Sequence, residues 1–309
     1  MITSFVHRVT VSAGLAALCV ASVLAQDPVQ TTFRSTVDVV TIQASVRDQR
    51  GRVMSGLTQT DFEVRDNGQL RPILSLRSDR QSPISVAILV DMSGSMRLES
   101  KTTLARQAYG SILTQLRDGQ DEVALFTFDS ELHERHGFTR ELSTLKGALD
   151  DFEAFGSTSL YDATAAAARK LAERSATLKA IIVLTDGIDT SSAMSSREVS
   201  GLASSIDVPV FMVATMPSVD QRLILESAER GVSDAADLRD LAEWTGGQFV
   251  FASTLVETVV ASSKLIDELR QQYILAIEAG TGGREWRRLD VRVRRPSATV
   301  KARSGYFAG

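Results

Sequence analysis

The chain has 309 residues, with 34 Lys and Arg against 38 Asp and Glu for a formal net charge of −4, and 43% hydrophobic side chains. That mild acidic excess carries no nucleic-acid signature, and the length suits one sizeable α/β domain with a smaller companion. The single cysteine, Cys19, excludes an internal disulfide framework.

Residues 1–25 carry Arg8 and His7 near the front, an apolar stretch from Val9 to Leu24, and Val23-Leu24-Ala25 as a small-residue cleavage site before Gln26. This reads as a secretory signal peptide, which places the mature chain outside the cytoplasm as a secreted or periplasmic protein. Removing it takes away Arg8 and Cys19, leaving about 284 residues with 33 basic against 38 acidic groups and no cysteine. No later segment has membrane-spanning length, so no span is expected in the mature chain.

Residues 26–34 read as a linker, and residues 35–80 as a β segment. Val37 to Val46 alternates by two, Asp48-Gln49-Arg50-Gly51-Arg52 forms a turn, and Asp66-Asn67-Gly68 turns between Phe62-Glu63-Val64-Arg65 and Pro72 to Leu76. An Asn-Gly step between such runs predicts a hairpin. This piece is too small to make a core alone.

From 83 to 271 strands alternate with helices. Strands are read at Ile84–Asp91, Glu122–Asp129, Lys179–Thr185, Val208–Ala214 and Gln248–Phe251, with an antiparallel edge strand over Glu131–Phe138. Helices are read at Arg97–Leu116, Leu142–Phe152, Leu160–Arg174, Ser195–Ser205, Asp234–Trp244 and Leu255–Gln271, and Thr245-Gly246-Gly247 ends the fifth. The alternation predicts a doubly wound, mainly parallel α/β sheet.

Residues 272–309 return to β: Tyr273–Glu278, a Gly280–Gly283 turn, an alternating Arg288–Arg295 strand, then Thr299–Arg303 and Gly305-Tyr306-Phe307. Neither terminal β piece can bury its apolar face alone. They are therefore expected to pair into one small β-sandwich from which the central domain protrudes.

The chemistry concentrates where Ser85 to Val90 runs into Asp91-Met92-Ser93-Gly94-Ser95. A strand buried on both faces reads as a continuous apolar run, and ligands of open α/β sheets gather beyond the carboxyl ends of such strands. Asp91, Ser93 and Ser95 offer hard oxygen donors without imidazole or thiolate, which suits Mg²⁺ first, with Mn²⁺ or Ca²⁺ as alternatives. Two more oxygen-bearing segments lie at the same predicted edge: Gly156-Ser157-Thr158-Ser159-Leu160 and Thr185-Asp186-Gly187.

In these three segments the chain resembles the von Willebrand factor A domain family. Its metal-ion-dependent adhesion site combines Asp-x-Ser-x-Ser, a Thr in a Gly-rich loop and an Asp in a Thr-Asp-Gly turn. The resemblance implies a divalent cation held by Asp91, Ser93, Ser95, Thr158 and Asp186, completed by an acidic side chain of a partner. Flanking Asp-Phe-Glu-Val and Gly-Tyr-Phe-Ala runs also resemble a bacterial secreted, acidobacterial type of that family. Catalysis is not expected, and the partner class is a protein with an exposed Asp or Glu. The alternative is a scaffolding subunit of an envelope complex with a structural metal.

Other candidates read as structural. His133 and His136 are three apart on an edge strand and lack a His-Glu-x-x-His pattern. Ser143-Thr144-Leu145-Lys146 has Ser-x-x-Lys spacing without the companion motifs. The Arg287–Arg303 cluster reads as a solvated strand face, Ala163–Ala168 as a helix packed on the sheet, and Asp162 and Asp189 as acceptors behind the site.

Overall fold

The molecule is seen in a computed structural model that describes residues 38–78, 80–150, 153–218, 234–280 and 285–307. The leader and linker expected over residues 1–34, and the core of the Gly280–Gly283 turn, lie outside the described residues.

At the centre is a six-stranded sheet in the order β10-β9-β8-β5-β6-β7. It is built from β5 (Ile84–Asp91), β6 (Glu122–Phe128), β7 (Leu132–Thr139), β8 (Leu178–Thr185), β9 (Val210–Thr215) and β10 (Phe249–Ala252). All neighbours pair parallel except β7, which closes the β6 edge antiparallel with solvent-facing His and Glu side chains. Every residue of β5 is buried, because helices cover both faces. One face, with Val86, Ile88 and Val90, packs on α1 (Glu99–Gln115) and α5 (Leu255–Arg270). The other, with Ala87 and Leu89, packs on α2 (Leu160–Ala172), α3 (Ser196–Ser205) and α4 (Asp234–Trp244). Alanines 163, 165, 167 and 168 let α2 lie close to the sheet.

Two features decide how the chain enters and leaves these helices. Ser195 caps α3 in a box with Glu198, each side chain receiving the other's backbone N–H. After α4, Gly246 takes φ +86°, and a methyl on Gly247 would lie 2.0 Å from the Val210 carbonyl oxygen. That approach is backbone against backbone, so Gly247→Ala is expected to lower stability by about 3 kcal/mol or more, read by denaturant unfolding.

Between β7 and α2 the expected helix over Leu142–Phe152 is absent among the described residues. Instead a 3₁₀ turn covers Leu142–Leu145, and the chain breaks at Gly147, φ +73°. The α1 side chains take the carbonyls an α-helix would use: Tyr109 Oη donates to Leu145 O at 2.7 Å and Arg106 Nε to Leu149 O at 3.0 Å.

The termini form a β-sandwich of two four-stranded sheets, β13-β1-β11-β4 and β14-β12-β2-β3. The strands are β1 (Val39–Arg47), β2 (Phe62–Asp66), β3 (Gln69–Arg71), β4 (Ile73–Arg77), β11 (Tyr273–Glu278), β12 (Trp286–Val293), β13 (Thr299–Ala302) and β14 (Gly305–Phe307). Each sheet mixes N- and C-terminal strands, and Ile42, Ala44, Phe62, Val64, Tyr273, Leu275 and Leu289 fill the space between them. Asn67 and Gly68, both at positive φ, make the β2–β3 hairpin turn.

The central domain does not protrude from this sandwich; the two are docked. Ser45 Oγ and Arg47 Nη2 reach Glu268 on α5 at 2.9 and 2.7 Å, Gln43 Nε2 donates to Asp207 O at 2.6 Å, and Ser304 N to Trp244 O at 2.7 Å. Nor are all the C-terminal arginines solvated. Arg303 is buried and donates to Ser204 O and Thr41 O, while Arg287 turns inward to Asp66 at 2.8 Å. Once the sandwich is docked, a solvent-facing position on the isolated strand pattern becomes an internal one.

Candidate metal centre

At the carboxyl edge of the sheet β5 ends in Asp91, between the ends of β8 and β6. Ser93 N donates to Asp91 Oδ1 at 2.9 Å, so the chain turns back over the carboxylate, and Ser93 Oγ lies 3.0 Å from Ser95 Oγ. Gly94 sits between them because a methyl there would press to 3.1 Å from Gly156 O. The second loop is laced to the first by Gly94 N to Gly156 O at 2.8 Å and Phe155 N to Met92 O at 2.7 Å.

That second loop carries Thr158. Its backbone is held to the third segment by Thr190 N and Ser191 N, which donate to Thr158 O at 2.9 and 3.0 Å, and by Thr158 N, which donates to Thr190 Oγ1 at 2.9 Å. Asp189 and Asp162 act as fasteners here. Asp189 Oδ1 accepts from Leu160 N at 2.8 Å, capping α2, and Asp162 accepts from Ala193 N and Met194 N at 2.8 and 2.9 Å. Both carboxylates are engaged with backbone amides of this loop pair.

The third segment brings Asp186 to the same edge. Thr185, just before it, donates to Asp91 Oδ2 at 2.6 Å, and its hydroxyl accepts from Gly187 N at 3.0 Å. Asp186 is close enough that its charge raises the cost of charging Asp91. Burial first, and then the Asp186 charge, push the Asp91 carboxyl up to about 6, against the hydrogen bonds from Thr185 and Ser93 that favour its ionised form.

Asp91, Ser93, Thr158 and Asp186 are buried and Ser95 is half-exposed, so the cluster meets solvent on the Ser95 side. Asp186 Oδ2 receives Lys101 Nζ at 2.9 Å, whereas Asp186 Oδ1 is buried with no hydrogen-bond partner. A buried carboxylate oxygen without a donor, close to the second carboxylate of Asp91, is the kind of donor that fits a hard divalent cation. Among the described residues no group of three or more His, Cys, Asp or Glu side chains is placed to hold a metal ion. His133 Nε2 lies 3.3 Å from Asp129 and His136 Nδ1 2.7 Å from Gly137 O.

Two roles escape a motif reading: Thr185, present in the Thr-Asp-Gly turn but given no role there, braces Asp91, and Lys101 lies outside the motif altogether. The signal for Lys101 is periodic, since it shares one buried helical stripe with Leu104, Ala105, Ala108, Tyr109 and Ile112. A lysine on an apolar stripe needs a counter-charge inside.

Residues 86–189, which include all five candidate ligands, match the family model of the von Willebrand factor type A domain. The central domain is a von Willebrand factor A domain. Its fold recurs in solved structures of low identity. A von Willebrand factor type A protein from Catenulispora acidiphila is 13% identical, covering 89% of this chain and 75% of its own, with a TM-score of 0.51. Proximal thread matrix protein 1 from the mussel byssus, with a zinc-occupied MIDAS motif, is 16% identical over 67% of this chain and 50% of its own, with a TM-score of 0.52. BatB from Bacteroides thetaiotaomicron is 18% identical over 60% of this chain and 98% of its own, with a TM-score of 0.49. No curated protein matches the chain at a significant level. Among the described residues of the A domain and its sandwich, no helix is long and apolar enough to cross a membrane.

Proposed function

We propose that this chain is an exported binding module, not an enzyme, that holds a divalent cation with Asp91, Ser93, Ser95, Thr158 and Asp186 and through it captures a carboxylate of a partner protein. Mg²⁺ is the first choice for an oxygen-only set, with Mn²⁺ or Ca²⁺ as alternatives. The reading rests on one observation above all: three separated loops bring five oxygen-bearing side chains to one sheet edge, including a buried Asp186 oxygen that no protein donor satisfies. The mussel protein's zinc-occupied motif supports the idea that this fold carries a divalent ion at the corresponding element.

With only two carboxylates among the five side chains, a bound ion keeps enough positive charge to attract an outside carboxylate. The surrounding rim suits a protein surface. Leu98, Phe155 and Ile188, one on each side of the three loops, are 56%, 70% and 36% exposed, and Arg97 stacks on Phe155 at 5.4 Å. Exposed apolar groups around a polar recess supply the contact area a single coordination bond lacks.

Titration calorimetry of the mature chain with Mg²⁺ or Mn²⁺ should show uptake near one ion per chain, lost in Asp186→Ala. Equal uptake by both chains would overturn the assignment. Partner capture from the native envelope should disappear in chelator; a stoichiometric complex that survives chelation would instead favour a scaffolding role with the metal as a structural element.

A further inference from the structure

Buried carboxylates elsewhere in the described residues meet arginines. Asp66 is held by Arg287, Asp121 by Arg270, and Glu268 by Arg47 at 2.7 Å, with Lys301 farther off at 3.5 Å. Asp186 instead meets Lys101, a residue only 7% exposed whose Nζ lies 2.9 Å from Oδ2. A guanidinium fork can engage both carboxylate oxygens, whereas an ammonium is a point charge. Here the lysine takes one oxygen and Oδ1 stays unengaged. The placement is built into the fold, because α1 begins just after the Asp91 loop and aims its first buried position, Lys101, at the Asp186 turn.

We infer that Lys101 is a resident counter-cation that loosens the hold of this site on its divalent ion and strengthens the hold of the loaded ion on an acidic partner. The inference rests on the cation reading above. Without the ion, Lys101 neutralises one of two neighbouring buried carboxylates, which would otherwise be charged and unpaired. With the ion present, the ammonium repels it across a poorly screened distance, so affinity is lower than the two carboxylates alone would give. The Lys101 charge adds to that of the ion, so a loaded site lacking Lys101 would be one charge less positive and a poorer attractant for an outside carboxylate.

The two effects have opposite signs, and that separates a charge role from a structural one. Mn²⁺ uptake is measured by calorimetry, and acetate binding to the Mn²⁺-loaded chain by water-proton relaxation. Lys101→Gln, which keeps a hydrogen-bond donor for Asp186 and drops the charge, should bind Mn²⁺ at least about tenfold more tightly and acetate several-fold more weakly. Lys101→Met, which keeps most of the apolar stem, should give the same pair of shifts and serves if the Gln chain does not fold. Both affinities unchanged within about twofold, or both reduced together, would overturn the inference while leaving the cation site standing. Absence of Mn²⁺ uptake by the wild-type chain would overturn the site itself and this inference with it.

Discussion

Asp91→Asn should abolish cation uptake and at the same time stabilise the metal-free chain at neutral pH. The wild-type carboxyl is buried beside Asp186 and titrates near 6, above the 3.8 of an ordinary Asp. The folded chain therefore binds that proton more tightly than the unfolded chain. Below about pH 4 both states are protonated and the group costs nothing. As the pH rises through the interval up to 6 the unfolded chain ionises first and stability falls, reaching a constant deficit of about 3 kcal/mol above it. Asparagine removes the charge. It still accepts from Ser93 N, and it can donate to the Thr185 hydroxyl in place of the bond that Thr185 now makes. The expected gain at pH 7 is therefore about 1–3 kcal/mol, with little change at pH 4, measured as unfolding in chelator at both pH values. A cation competes with the same proton, so wild-type uptake should weaken progressively below pH 6. An Asp91→Asn chain that is less stable than wild type at pH 7, or one that still takes up the ion, would contradict this account.

The second large effect lies in the sandwich. Asp66 is completely buried, accepts two contacts from Arg287 Nε at 2.8 and 3.0 Å, faces Arg71 at 3.4 Å and lies 3.3 Å from Tyr306 Oη. Tyr306 in turn accepts from Gly280 N at 3.0 Å. One carboxylate thus binds strands from both ends of the chain. Asp66→Ala leaves the Arg287 guanidinium, itself mostly buried, without its counter-charge, and a loss of about 3–5 kcal/mol is expected. Denaturant unfolding measures it. Because the proposed cation site lies on other loops, calorimetric Mg²⁺ uptake by the folded fraction should be unchanged.

Much of the candidate site was legible in the sequence. Asp91, Ser93 and Ser95 follow a strand whose unbroken apolar run marks it as central, and Asp186 follows another such strand, β8. Strand ends in a parallel sheet share one edge, so local pattern alone places these residues together. The Gly156–Leu160 loop could be placed at this edge from its junction with a helix, but the choice of Thr158 over Ser157 and Ser159 came only through the family pattern, and the expected helix before that loop is absent among the described residues. There, Tyr109 and Arg106 of α1 capture the carbonyls, and no local periodicity announces that competition.

By itself the sequence determined the strand–helix alternation, the hairpin at Asn67-Gly68 and the hard-oxygen character of the site, since each follows from short-range rules of pleat, turn conformation and donor chemistry. Tertiary structure alone decided which charges are inside. Lys101 finds Asp186, Asp66 leaves a supposed turn for the sandwich core, and Arg287 and Arg303 turn inward from a strand that looked solvated. A charge becomes internal only when a distant segment covers it and offers an opposite charge, and that pairing depends on docking geometry that no local window contains.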